Sequence, residues 1–154
     1  MAIEMKISTI YDAVVSKCIS LFPTKQRLHN PYELTDNPEL IMNDAWGLKV
    51  LSSAYVENEF CTLTNEREFS LILTRGFATV GSKGDAFDVV TKYLLEDQNT
   101  LLSNFYSTSE LGIPSTIDQI EIVSISGINF MINNQKSLLY CEIIIKIAMS
   151  ESLI

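Results

Sequence analysis

The C-terminal stretch of residues 138–150 constrains the fold more than any other part of the chain. Every second position in it is apolar. These positions are Leu139, Cys141, Ile143, Ile145, Ile147 and Met149. A period of two with many β-branched side chains predicts a long β-strand with one face in a hydrophobic core. The positions between them form the other face, which includes Glu142 and Lys146 and is therefore partly polar. Strands of an all-parallel sheet are apolar on both faces, so we expect a central or next-to-edge strand of an antiparallel sheet.

Two segments have the spacing of amphipathic helices. Residues 8–21 carry apolar side chains at steps of three and four, which predicts a first helix. Residues 85–106 show the same spacing and predict a second helix, with a kink or break at residues 96–100, where no apolar residue occurs. Residues 22–37 lose this periodicity, which predicts a long ordered loop, followed by a short helical turn with Pro38 at its first position.

The other strands are predicted from shorter alternating patterns. Residues 46–56 and 61–74 predict two strands joined by an acidic turn, hence a hairpin. A bulge at residues 52–53 would reconcile the two halves of the first of these strands. Residues 117–125 predict a further strand, which continues past a glycine and a bulge into residues 130–132.

These elements predict an α+β fold with the order αββαββ. We expect a two-layer sandwich, in which a mainly antiparallel four-stranded sheet carries both helices on one face. Residues 1–154 are predicted to form a single domain, since a chain of this length buries about 68–70% of its unfolded surface.

Charge and composition narrow the functional class. The chain has 19 acidic and 11 basic residues, a formal charge of −8, which argues against a broad nucleic-acid-binding surface of clustered Lys and Arg. The sequence has neither the pattern of a secretory signal nor a run of about 18 apolar residues, so we expect a soluble protein made in a cytoplasm, with no membrane contact. The three cysteines, Cys18, Cys61 and Cys141, lie far apart and are typical of buried thiols in a reducing compartment.

The segment of residues 76–83 is the best candidate for a ligand site, because it nearly spells a phosphate-binding P-loop. That motif needs Lys directly after the second glycine and Ser or Thr next, whereas here Ser82 precedes Lys83. A glycine loop that meets a partner is the better interpretation. His29 is the only histidine, so a histidine-rich metal site is excluded, and the cysteines that could pair with it lie at apolar positions. We therefore predict no enzyme activity, no catalytic residue, and no metal or cofactor.

Five residues are candidates for contact with another subunit or partner. They are Tyr32, Leu34, Trp46, Phe77 and Lys83. Tyr32 and Leu34 belong to the predicted long loop, and Lys83 belongs to the glycine loop. A lone Trp is commonly a core anchor, but beside an aromatic loop it serves equally well as a protein–protein contact, and for Trp46 both interpretations stay open.

Residues 30–39, with the sequence NPYELTDNPE, and residues 44–50, DAWGLKV, resemble a stretch of the tail-terminator (tail-completion) proteins of long-tailed bacteriophages, of the phage lambda type. Residues 66–69, EREF, and the helix of residues 86–97 are similar to that family in layout. The resemblance covers most of the chain, and its motifs are structural.

The resemblance implies a subunit that forms a ring, typically a hexamer, on the head-proximal end of the tail tube. The ring ends tube polymerisation and provides the surface that joins the head, with a head-completion or neck protein and the tail tube protein as partners. DNA passes through the lumen without specific binding, and the protein resides in the virion tail after assembly in the host cytoplasm. The alternatives to this function are another phage head–tail adaptor or completion protein, and a small ligand- or nucleotide-binding α+β protein.

Overall fold

The computed structural model describes residues 7–32, 44–58, 62–78, 84–105, 119–133 and 136–152. In chain order the elements are helix α1 (Ile7–Leu21), strands β1 (Gln26–Leu28), β2 (Ala45–Asn58) and β3 (Thr62–Ala78), helix α2 (Gly84–Asn104), and strands β4 (Gln119–Ile125), β5 (Asn129–Asn133) and β6 (Lys136–Ser152). Both predicted helices are confirmed to within about two residues at their described ends. Within the described residues, neither helix combines the length and apolarity needed to cross a membrane.

Strand β6 occupies an inner position of the sheet. On one side β6 pairs with β3 along its whole length. On the other side parts of β6 pair with β4 and β5, and all three pairings are antiparallel. The neighbours continue as β2 beside β3 and β1 beside β2. The prediction of a long inner strand with antiparallel neighbours in the C-terminal stretch is confirmed.

One face of this sheet and both helices form a single hydrophobic core. The apolar positions of β6 lie on this face, where Ile143 is paired with Leu71 and Ile145 with Phe69 of β3. Both helices place their apolar stripes in the same cluster. Its buried members from the helices are Ile10, Val14, Val15 and Cys18 of α1 and Leu94 and Leu101 of α2.

The predicted four-stranded sheet with the order αββαββ is wrong. Among the described residues the sheet has six strands and is mixed, and the order is αβββαβββ. The parallel pairing comes from β1, whose three residues pair with residues 45–47 of β2. Three residues are too few to show a periodicity, so this part of the predicted loop was not recognised as a strand.

The other extra strand arises where the pairing with β6 is interrupted between β4 and β5. Here the amide of Glu142 donates a hydrogen bond to Oγ of Ser126 at 2.9 Å, and the amide of Ser126 donates to the carbonyl of Glu142 at 2.8 Å. A side-chain oxygen thus replaces a backbone carbonyl as the acceptor, which interrupts the regular ladder. The sequence predicted this interruption as a bulge within one strand.

The predicted hairpin is confirmed, whereas the predicted break in the second helix is wrong. Strands β2 and β3 pair antiparallel, with a register shift between Val50 and Ser53 at the position of the predicted bulge. Helix α2 runs without interruption through its polar middle. The reason is that Asp97 is buried in tertiary contacts, while Thr100 Oγ1 donates to the carbonyl of Glu96 at 3.0 Å within the helix. The helical turn predicted from Pro38 lies outside the described residues.

Gly47 allows β1 and the chain that follows it to approach β2 closely. A Cβ atom at this position would lie 3.0 Å from Cβ of Pro31 and 3.2 Å from Cβ of Leu28. Both neighbours are held in place, Leu28 by pairing with Gly47 itself and Pro31 by its buried position. Any side chain on Gly47 would therefore push β1 away from β2.

We expect Gly47→Ala to lower the free energy of unfolding by about 1–3 kcal/mol, the usual cost of forcing an extra methyl into a packed site. Urea denaturation measures this change. Gly127→Ala is the matched control, because a Cβ there would meet no heavy atom within 4 Å, and its effect should stay within about 0.5 kcal/mol. Equal effects of the two substitutions would contradict the close approach of β1 to β2.

Candidate functional site

An open groove of about 330 Å³ lies where β1 ends, beside the part of β2 whose outer edge pairs with no described strand. Tyr11 of α1 lines one side, and His29 and Tyr32, which follow β1, line the other. Lys49 and Val50 of β2 form part of its floor. Two tyrosines, an imidazole and an ammonium group thus line the groove beside this part of β2.

The cationic side chains at and beside the groove already have partners within the chain. The Lys49 ammonium lies 5.2 Å from the centre of the Tyr32 ring, a cation–π distance, and 3.5 Å from Oε1 of Glu142. Arg27 donates a hydrogen bond to the Tyr11 hydroxyl at 3.3 Å. Among the described residues no carboxylate pairs with Arg27.

Trp46 lies below the groove in the hydrophobic core. Its side chain is 1% exposed, and the Arg27 guanidinium covers its ring at 5.6 Å from the centroid. Arg27 and Trp46 are paired residues of β1 and β2, so the parallel pairing itself brings them together. A direct contact between this ring and a partner would require the core to open.

The other predicted interface residues are placed as follows. Tyr32 is 51% exposed at the groove. The backbone of Phe77 belongs to β3, where it pairs with Ser137 of β6. Leu34 and Lys83 lie outside the described residues. The structure therefore brings Tyr32 and Trp46 to the same part of the sheet edge, one on the surface and one beneath it.

The P-loop interpretation receives no support from the placement of its first residues. Gly76, Phe77 and Ala78 are the last residues of β3, which is antiparallel to both of its neighbours. A P-loop follows a strand of a βα unit in a parallel sheet, so that its glycines leave the strand at once. Residues 79–83 lie outside the described residues.

The described cysteines are not activated nucleophiles. Cys18 is fully buried, and burial raises the pKa of its thiol to about 12. Burial also raises the pKa of Cys141, which receives a hydrogen bond from Nε2 of Gln98 at 3.2 Å. At neutral pH both remain thiols, and the thiolate is the reactive form. In the part of the chain that the structure describes, no three His, Cys, Asp or Glu residues come together to hold a metal ion.

A buried ionic network joins α2 to the sheet. Asp97 of α2 receives two hydrogen bonds from Arg75 of β3, at 2.8 and 2.7 Å, and lies 2.9 Å from the ammonium of Lys25. Lys25 also donates to the carbonyl of Thr74 at 2.7 Å. Arg75 contacts Asp44 at 3.1 Å, and Asp44 lies directly before β2. Two cations and two anions therefore balance at one end of the core.

The pKa shifts in this network follow from its geometry. Burial lowers the pKa of Lys25, and the carboxylate of Asp97 opposes that effect. The hydrogen bonds from Arg75 to Asp97 raise the pKa of Arg75. Lys25 and Arg75 both contact the carboxylate of Asp97. The arrangement therefore fixes the position of α2 and does not present a reactive group. The sequence interpretation did not recognise it, although Asp97 stands three residues after Leu94 on the apolar stripe of α2.

Large apolar side chains remain exposed away from the groove. At the opposite edge of the sheet they include Val123 and Ile125 of β4 and Phe130 of β5. Helix α2 exposes Tyr93 and Leu95 as well. A monomer tolerates single exposed apolar residues, but several on distinct surfaces are typical of a protein with more than one partner surface.

The fold and these surfaces define a small α+β protein; among its described residues no strand pairs with the outer edge of β4 or with the edge of β2 at the groove. No protein-family model matches the chain, and no curated protein sequence matches it.

Proposed function

We propose that this chain is a structural subunit of a long-tailed bacteriophage, a tail terminator that forms a ring on the head-proximal end of the tail tube. The ring is hexameric, as is typical of the family that the sequence resembles. It ends polymerisation of the tube and provides the surface to which the head attaches. The subunit acts through its shape and its contacts, without catalysis.

The observation that carries this proposal is the distribution of exposed apolar side chains over separate surfaces of one small domain. Tyr32 and Val50 lie at one sheet edge, Val123 and Ile125 at the other, and Tyr93 on the helix layer. A ring subunit needs two different lateral contacts with its neighbours and a further one with the tube. Separate exposed patches of this kind suit such an arrangement.

The chemistry of the described residues agrees with a structural role. The buried charged residues in the described part of the chain, Lys25 and Asp97, pair with each other, and the described cysteines are buried thiols. The groove at β2 offers hydrogen-bonding and aromatic groups for recognition, but its Lys49 is paired with Glu142. These features support a binding protein over an enzyme.

The formal charge of −8 supports the proposed lumen. A ring that lets DNA pass should repel the phosphate backbone rather than bind it, because clustered Lys and Arg would hold the DNA. The proposed partners are a second copy of the chain, the tail tube protein, and a head-completion or neck protein. The proposed location is the virion tail, after assembly in the host cytoplasm.

Negative-stain imaging of the purified chain with its tail tube protein tests this function. We expect tubes of limited length with a ring at one end, whereas the tube protein alone should give uncapped tubes of variable length. The chain unfolded by heat beforehand is the control for nonspecific effects. Unchanged tubes combined with binding to purified head particles would instead assign the chain to another head–tail adaptor, and turnover of a substrate would overturn the structural role.

A further inference from the structure

The inner and outer pairings of the sheet differ in regularity. All 17 residues of β3 pair with β6 without a register shift. In contrast, the pairing of β2 with β3 shifts between Val50 and Ser53, and the pairing of β4 with β6 shifts between Ile122 and Ser124. At each of these shifts the outer edge of β2 or β4 pairs with no described strand. The irregular pairings are therefore those of the outer strands.

The edge formed by β4 and β5 contains two residues more than the part of β6 that it faces. Gln119 pairs with Ala148 at one end of this edge, and Asn133 pairs with Lys136 at the other end. Two residues of the edge are thus inserted relative to a regular ladder. Inserted residues of this kind are β-bulges, which bend a strand and increase its twist.

Val123 is the first inserted residue. Its neighbours Ile122 and Ser124 pair with Ile145 and Ile144, which are adjacent in β6. Val123 therefore has no partner of its own in β6, and its side chain is 46% exposed.

The second insertion lies between β4 and β5. Ile125 pairs with Ile143, and Asn129 pairs with Tyr140, so residues 126–128 face only residues 141–142 of β6. The amide of Glu142 donates to Oγ of Ser126 at 2.9 Å. This hydrogen bond takes the place that the backbone carbonyl of Ser126 would have in a regular antiparallel pair.

The composition of this edge offers little other protection against strand addition. Residues 119–133 contain no Lys and no Pro, which are common on protected edges. Their one charged residue, Glu121, is already paired with Lys146 at 3.4 Å. The side chains of Ile125 and Phe130 are 41% and 53% exposed. A segment with high β-propensity, low net charge and no proline pairs readily with other strands.

We infer that the two bulges of the β4–β5 edge prevent it from adding to the sheet of a second copy. The longest regularly paired run that they leave is the five-residue strand β5. The bend at each bulge turns the outward amides and carbonyls away from the line that an incoming strand needs. The exposed apolar side chains of this edge stay accessible, while its backbone is protected. The inference concerns the folded chain itself and is independent of the proposed ring.

Deletion of Val123 tests the first bulge directly. The deletion removes the unpaired residue and leaves every described pairing of β4 unchanged, so that Ile120, Ile122 and Ile125 fall at alternate positions. We expect self-association to strengthen by about tenfold, because each further hydrogen-bonded pair of residues adds two main-chain hydrogen bonds to a contact between copies. Sedimentation velocity over a range of concentrations measures self-association, and thioflavin T fluorescence detects aggregates with β structure.

Val123→Ser is the matched control for the deletion. It removes the same exposed apolar side chain but keeps the inserted residue, so self-association should equal that of the parent or be weaker. The difference between the two variants therefore reports the bulge and not the loss of apolar surface. A folded deletion variant that associates no more strongly than Val123→Ser would overturn the inference.

Ser126→Ala tests the second bulge without changing the chain length. It removes the Oγ acceptor, so that the amide of Glu142 becomes free to bond with the backbone carbonyl of residue 126 as in a regular ladder. We expect stronger self-association than for Ser124→Ala, which removes an exposed hydroxyl from the same strand. Far-UV circular dichroism establishes that each variant is folded. If the deletion variant does not fold, this pair decides, and equal association of the two alanine variants contradicts the protective role.

Discussion

Trp46→Ala is expected to lower the free energy of unfolding by about 3–5 kcal/mol, the usual cost of truncating a large aromatic side chain in a core. The ring is 1% exposed and belongs to the cluster that joins α1 to the sheet. Its pairing partner Leu73 is fully buried as well, so little rearrangement can fill the cavity. The substitution also removes the aromatic surface under the Arg27 guanidinium. Urea denaturation followed by far-UV circular dichroism measures the loss.

Tyr32→Ala is the matched control for an aromatic residue at the same sheet edge. Tyr32 is 51% exposed, so its removal should change the free energy of unfolding by no more than about 0.5 kcal/mol. If the groove contacts a neighbouring subunit, Tyr32→Ala weakens assembly at unchanged stability, whereas Trp46→Ala weakens it through unfolding. A Trp46→Ala protein as stable as the parent would show that this ring is a contact residue and not a core anchor.

The sequence was sufficient to predict the elements whose pattern is local and repeated. The alternation from Leu139 to Met149 predicted β6, because one fully apolar face leaves no alternative placement for a long strand. The shift of apolar parity between Val50 and Tyr55 predicted the bulge in β2, because a strand can change the face it buries only by inserting a residue.

The missed parts of the fold depend on contacts that are distant in sequence. β1 exists because Gly47 lets Leu28 and Pro31 approach β2, and three residues carry no period of their own. The interruption between β4 and β5 depends on one hydrogen bond from the Glu142 amide to Ser126. The strand count therefore could not be read from local pattern alone.

The candidate site was predictable only in part, for a similar reason. Tyr32 was recognised as a contact candidate, but the groove around it exists because β1 stops at Leu28, which the sequence did not reveal. The signal for the ionic network was present, since Asp97 falls between Leu94 and Leu101 on the buried stripe of α2. A carboxylate on a buried apolar stripe is stable only with cationic partners. Those partners, Lys25 and Arg75, lie on other parts of the chain.

Asp97→Ala should lower the free energy of unfolding by about 3–5 kcal/mol, because it leaves the buried ammonium of Lys25 without its counter-ion. The Lys25 side chain is 2% exposed and would retain only the carbonyl of Thr74 as a partner. Arg75 would keep its contact with Asp44 and its position over the Tyr93 ring. The control is Asp88→Ala, which removes an exposed carboxylate from the same helix and should cost no more than about 0.5 kcal/mol.

The pH dependence of unfolding of the Asp97→Ala variant identifies the cause of its lower stability. Burial lowers the pKa of Lys25 from 10.5, and Asp97 is the first group that opposes this effect, so its removal lowers the pKa further. Between the lowered value and 10.5 the unfolded chain binds more protons than the folded one, and stability then rises with pH. The deficit of the variant relative to the parent should therefore shrink as the pH increases from neutral toward 10.5. A deficit independent of pH would instead assign the loss to packing.

Replacing Lys25 and Asp97 together distinguishes the effect of their charges on stability from the effect of their packing. Lys25→Met together with Asp97→Leu removes both opposite charges and keeps apolar volume at each position, and such replacements of buried ion pairs are often close to neutral. We expect the double variant to be more stable than Asp97→Ala, although Arg75 still lacks one carboxylate. If the double variant were as unstable as Asp97→Ala, the network would act through the hydrogen bonds from Arg75 alone, and Lys25 would contribute nothing to the attachment of α2.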